Sequence, residues 1–168
     1  DTLSKGTITL KALVDLSKGS NVNINIFTHL KSTRIKKLVS SGMDFTTANE
    51  QAQRELLDAF GLSSHIKKDV SSISMTDGTD EAAALIATSS LILMDRSAAE
   101  LAEYITTLSS EFGELGYFYN RAQFKYDVYY LARDLSTIKY NLINKYQSLN
   151  KAVNINDLFR FIDWNSDG

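Results

Sequence analysis

The chain has 168 residues, 43% hydrophobic and 23% charged, with a formal net charge of -2; this apolar content and length suit one folded domain and exclude an intrinsically disordered chain. Cysteine is absent, which rules out a disulfide framework, a thiolate zinc site and a thiol nucleophile. Basic residues cluster only in pairs such as Lys36-Lys37 and Lys67-Lys68, so there is no electrostatic footprint for nucleic acid.

Proline is also absent, and only eight glycines punctuate the chain, which leaves room for long helices. Residues 7–16 alternate apolar Ile8, Leu10, Ala12, Val14 and Leu16 with Thr7, Thr9, Lys11 and Asp15, broken only by Leu13, the pattern of a half-buried strand. After residues 17–20 the alternation resumes, with Val22, Ile24 and Ile26 opposite Asn21, Asn23 and Asn25, and a β-hairpin is predicted. A lone hairpin is marginal in water. Residues 1–27 are therefore expected either to lean on the helices as a hairpin or to be strands of an upstream β domain.

Thr28 is predicted to cap a first helix reaching about Ser41, with Leu30, Ile35, Leu38 and Val39 inward and Gly42 as left-handed terminator. Asp44 caps a second, whose Phe45, Ala48, Ala52, Leu56, Ala59 and Phe60 form one stripe ending at Gly61. Residues 62–78 read as a short helical turn and a loop. Thr79 opens a third helix, residues 80–94, apolar nearly all round and so expected at the centre of a bundle. Its uncharged stretch is shorter than the ~18 residues of a membrane span. Ser97-Ala98-Ala99-Glu100 is a capping box for a fourth helix with Leu101, Ile105, Leu108 and Phe112 inward.

A fifth helix is expected from about Tyr117 to Asn150, with a heptad-like seam of Phe124, Val128, Leu131, Leu135, Ile138, Leu142 and Leu149 interrupted at Lys145. In a chain with several amphipathic helices such a seam reads as an internal contact. A last short helix over residues 155–162 is capped by Asn154. The predicted fold is mainly α, a bundle of five to six helices spanning residues 28–162 with an N-terminal β-hairpin. Residues 163–168 begin a linker or calcium-loop-like turn.

Asp163-x-Asn165-x-Asp167-Gly168 supplies positions one, three, five and six of an EF-hand-like loop, where short oxygen side chains converge on calcium. The bidentate carboxylate of position twelve is missing, so the metal candidate is incomplete and the competing reading is a polar turn. No other cofactor is indicated, and calcium is expected only in an intact protein. Tyr117, Tyr119, Tyr126 and Tyr130, with their aromatic neighbours, are candidates for a sugar-stacking or protein-contact face, against which stands ordinary core packing.

His29 and His65 lack metal-ligand spacing, and His29, at a helix start, reads as structural. Ser64-x-x-Lys67 and two similar pairs come without the companion motifs of serine-lysine enzymes and read as chance, and Glu111 and Glu114 read as a solvated helix face. The expectation is a protein without enzymatic activity.

Three stretches carry a resemblance: Asn21-Val-Asn-Ile-Asn-Ile-Phe-Thr-His-Leu30 with the helix pair running to Phe60-Gly61-Leu62; Met75-Thr-Asp-Gly-Thr-Asp-Glu through Leu93; and Phe161-Ile-Asp-Trp-Asn-Ser-Asp-Gly168. Together the chain resembles a helical module of large surface-exposed lipoproteins and other exported proteins of Bacteroides-type bacteria, a group without an assigned activity. The resemblance implies an exported protein at the cell surface or outer membrane, held by a lipidated cysteine upstream, whose start without methionine reflects processing. It implies partners among neighbouring domains of the same polypeptide and a glycan or protein ligand. The expected function is thus a non-enzymatic structural or ligand-binding module of a bacterial cell-surface lipoprotein. Its rivals are a helical enzyme domain using acidic and tyrosine side chains, and a calcium-dependent adhesion module.

Overall fold

The computed structural model describes residues 7–15, 17, 21–119, 135–151, 153, 155 and 158–161. It is mainly helical: α1 Ile26–Ser40, α2 Phe45–Ala59, α3 Asp80–Leu93, α4 Ala98–Leu115 and α5 Leu135–Ser148, with 3-10 turns at Val70–Ser72 and Leu158–Phe161. Among the described residues there is no strand.

The predicted hairpin is therefore corrected. Residues 7–15 and 21–25 have no regular secondary structure and lie in no ladder. The segment before α1 satisfies its backbone elsewhere: the Asn23 amide donates to the Ser71 carbonyl at 2.8 Å. Asn25, assigned by alternation to the polar face of a strand, is a buried helix cap. Its Oδ1 accepts from the Thr28 amide at 2.9 Å, while Thr28 Oγ1 accepts from the Asn25 amide at 2.9 Å, a reciprocal box that starts α1 three residues before the predicted cap. Asn25 Nδ2 also donates to the Val70 carbonyl at 3.0 Å, pinning the first 3-10 turn to the helix start. Alternation of period two thus marked the lead-in to a capped helix, with no strand partner among the described residues.

The starts of α2, α3 and α4 follow the sequence. Asp44 Oδ1 accepts from the Thr47 amide at 3.0 Å, Thr79 Oγ1 from the Ala82 amide at 3.3 Å, and Ser97 and Glu100 form the predicted box. Gly42 follows α1 at φ 97°, where a side chain would be strained. α4 stops at Leu115, so residues 117–119 are not the start of a fifth helix. Of the expected fifth helix, Leu135–Ser148 is helical and forms α5.

α1, rather than α3 alone, occupies the centre. It packs on α4, α2, α3 and the first 3-10 turn, and buries Ile26, Phe27, Leu30, Ile35 and Leu38 together with polar Lys31, Ser32 and Arg34. α3 buries Ala82 through Thr88 with Leu91 and Ile92, as its apolar surface requires. The main core joins Ile26, Phe27 and Leu30 of α1 and Ala83 through Ala87, Leu91 and Ile92 of α3 to Phe60, Leu62, Ile66, Ile73, Ile105, Phe112 and Phe118, and a smaller one gathers Ile35, Leu38, Ala48 and Ala52. Leu135, Ile138 and Leu142 of α5 pack on the main core, so these three positions of the heptad seam are an internal contact, whereas Leu149 is exposed.

α3 and α4 meet at a corner of 113°. Met94 turns there with φ 39°, unusual for a residue bearing a Cβ. Arg96 holds the corner, donating to the Ile92 carbonyl at 2.9 Å with its guanidinium 3.8 Å from the centre of the Tyr104 ring. No single helix among the described residues is long and apolar enough to cross a membrane.

Candidate functional site

Two features stand out: a polar seam along α1 and an apolar groove beside it. In the seam, Lys31 Nζ donates to Asp69 Oδ2 at 2.8 Å and to Gln53 Oε1 at 3.0 Å. Gln53 in turn accepts from the Val70 amide and donates to the Lys68 carbonyl, so one amide side chain links α1, α2 and the loop after α2. Burial pushes the Lys31 ammonium below its ordinary value, with Asp69 pulling the other way. For Asp69 burial works upward but the bonds from Lys31 and Ser71 win, and the carboxyl lies below its ordinary range. The two partners respond differently because the Lys31 side chain is 4% exposed and that of Asp69 40%, so the desolvation cost falls on the ammonium.

One turn further, Arg34 forks onto Glu55, Nε to Oε2 at 2.7 Å and Nη2 to Oε1 at 3.2 Å. Its Nη1 donates to the carbonyls of Gly113 at 3.2 Å and Glu114 at 2.9 Å. Those carbonyls belong to the last turn of α4, which has no partners of its own within the helix, and a cation there also meets the negative end of its dipole. Gly116, at φ 76°, closes α4 against this pair: a Cβ would come within 2.6 Å of Glu55 Oε2. Nearby, Thr33 and Ser109 hydroxyls bond at 2.7 Å, and a Cβ on Gly113 would lie 2.5 Å from Thr33 Cγ2. α1 and α4 approach closely because Gly113 has no side chain.

The groove, of about 400 Å³, lies between the two segments ahead of α1, residues 73–75 and the α3–α4 corner. Ile8, Leu10, Ile24, Met75, Leu93 and Leu101 give it an apolar lining. Ile24 and Leu93 are largely exposed on its surface. A second, smaller cleft lined by Asn49, Glu50, Gln53, Arg54 and Asp69 is polar, and Gln53 and Asp69 are already engaged with Lys31.

Of the residues singled out in the sequence, Tyr117 and Tyr119 are exposed, Tyr119 at 83%, on either side of Phe118, which is buried against Phe60 and Phe112. The middle ring anchors the segment and the flanking two face outward. Tyr126 and Tyr130, and the calcium-loop candidates Asp163, Asn165 and Asp167, lie outside the described residues. Among the described residues no group of three or more His, Asp or Glu side chains is placed to hold a metal ion. Glu114 pairs with Lys37 at 2.5 Å and Glu111 accepts from the Tyr119 amide, so the two are not a carboxylate pair. His65 packs edge-on against Phe161. His29 Nδ1 accepts from the Lys11 amide at 3.1 Å, a structural role.

The groove and the seam were not singled out in the sequence. The seam left one local signal, Lys31 and Arg34 at a spacing that puts both on one side of a helix. The groove left none, since its walls come from four separate stretches. Comparison of the chain with protein-family models, curated proteins and solved structures finds no match.

Proposed function

We propose that this chain is a non-enzymatic helical module of an exported bacterial cell-surface lipoprotein, one that spaces neighbouring domains and binds a ligand through the apolar groove. The observation that supports it is the division of labour between the two features. The seam's charged side chains are bound to one another and to helix ends, where they hold α1, α2 and α4 together. The concave surface left for a ligand is lined by apolar side chains, which favour contact area over acid–base chemistry. The surface location rests on the resemblance in three stretches of sequence and is a separate part of the proposal.

Two measurements test it. Fluorescence of anilinonaphthalene sulfonate, an apolar probe, is expected to rise on mixing with the folded chain and to fall in Ile24→Glu and Leu93→Glu, which put a charge on the groove's exposed surface. Binding unchanged by both, or turnover of glycoside or peptide substrates by the chain, overturns the binding reading. Protease treatment of intact cells producing the full-length protein tests its location, and complete protection overturns it.

A further inference from the structure

The segment that lines one side of the groove is fastened to α1 by a hydrogen bond whose acceptor titrates. We propose that residues 7–15 form a pH-sensitive strap along one wall of the apolar groove, latched by the Lys11 amide donating to His29 Nδ1 and released when that nitrogen is protonated. The inference concerns the strap's attachment, which is measured without any ligand, so it stands or fails independently of the binding reading.

The strap lies in no ladder, so side chains and this bond hold it down. Ile8 and Leu10 line the groove, Leu10 packs on the main core, and Leu13 reaches the smaller one at the far end of α1. Lys11, between the two leucines, sends its amide inward to His29, itself only 9% exposed on the first turn of α1. An imidazole that accepts at Nδ1 is neutral and carries its proton on Nε2. Protonated, it offers hydrogen at both nitrogens, so the acceptor disappears and N–H faces N–H. Protonation and the latch exclude one another.

Burial first, and then the positive Lys11 side chain, hold His29 below its ordinary value of 6.5. The acids on the elements packed against α1 are turned to other cations: Glu55 of α2 to Arg34, Glu114 of α4 to Lys37, and Asp69 of the 3-10 turn to Lys31. None of them enters the balance at His29, whose shift comes from burial and Lys11. With the strap released His29 loses Lys11 and the strap's share of its burial and moves back up toward its ordinary value, so the released form binds the extra proton more readily. The latch is at full strength above about pH 6.5 and weakens by at most tenfold per unit as pH falls below it, levelling off once the latched form also protonates.

Amide exchange of the whole chain, followed by NMR and corrected for the intrinsic rate at each pH, reads the strap directly. The Lys11 amide is expected to lose protection several-fold between about pH 7 and about pH 5, while core amides such as Leu57 and Ile86 keep theirs. His29→Asn keeps an acceptor oxygen near the Nδ1 position and does not titrate, so its Lys11 protection is expected to be flat over that range. Wild-type protection that is flat, or a variant with the same pH dependence as the wild type, overturns the latch. Imidazole ¹⁵N shifts of the wild type give a check that needs no variant. A neutral His29 with its proton on Nε2 supports the latch, and one with its proton on Nδ1 overturns it.

Discussion

Replacing Arg34 tests whether the seam holds the bundle together. Arg34→Ala removes two bonds to Glu55 and two to the last carbonyls of α4, and leaves Glu55 with the Gln51 amide at 2.8 Å. Breaking a buried ion pair by removing one partner costs about 3–5 kcal/mol, because the other charge stays behind uncompensated. Here the Arg34 side chain is 11% exposed and that of Glu55 23%, so water partly rescues the carboxylate and the lower end applies, about 3 kcal/mol. With a urea dependence of about 2 kcal/mol per molar, the unfolding midpoint falls by about 1.5 M. Arg34→Lys recovers part of this, since a point charge cannot serve both the carboxylate and the two carbonyls. The pair replacement Arg34→Met with Glu55→Leu is expected to be more stable than Arg34→Ala alone, because no charge is left unpaired. Urea unfolding followed by circular dichroism measures all three. A loss below about 0.5 kcal/mol in Arg34→Ala, the range of ordinary surface changes, refutes the account of the seam.

Three further outcomes are expected. Gly113→Ala adds helix propensity but drives a methyl into Thr33, and is expected to lower stability by about 1–3 kcal/mol; thermal unfolding of Gly113→Ala combined with Thr33→Ser, which removes the clashing Cγ2, should recover much of that loss. Asn25→Ala removes the α1 cap and the donor to the Val70 carbonyl together, a cost of about 2 kcal/mol in chemical denaturation. Asn25→Ser, which can still cap, should lose less. Asp69 is held below its ordinary carboxylate value by Lys31 and Ser71, so its contribution is complete above about pH 4 and is lost as acid protonates it. Asp69→Asn should therefore flatten part of the wild type's stability loss in an acid titration below that pH.

Local patterns settled much of the fold. The Asp44, Thr79 and Ser97 caps, the stop after α1 at Gly42, the apolar stripe of α2 and the all-round apolar α3 each depend on neighbours within a few residues, and those were legible. The hairpin was misread because alternation is a property of one segment, whereas a strand also needs a partner. Asn25 found a helix to cap instead, and an asparagine looks the same in either role.

The sequence by itself determined a mainly helical body and where most of its helices begin, since hydrogen bonds within a helix and its cap are made by near neighbours. Tertiary structure alone decided that α1, with its lysine and arginine, lies at the centre. Burying those charges is favourable only because Gln53, Glu55, Asp69 and the carbonyl end of α4 arrive from elsewhere to meet them. It decided the groove for the same reason: a concave surface is a relation between distant segments, and no single stretch of chain carries it.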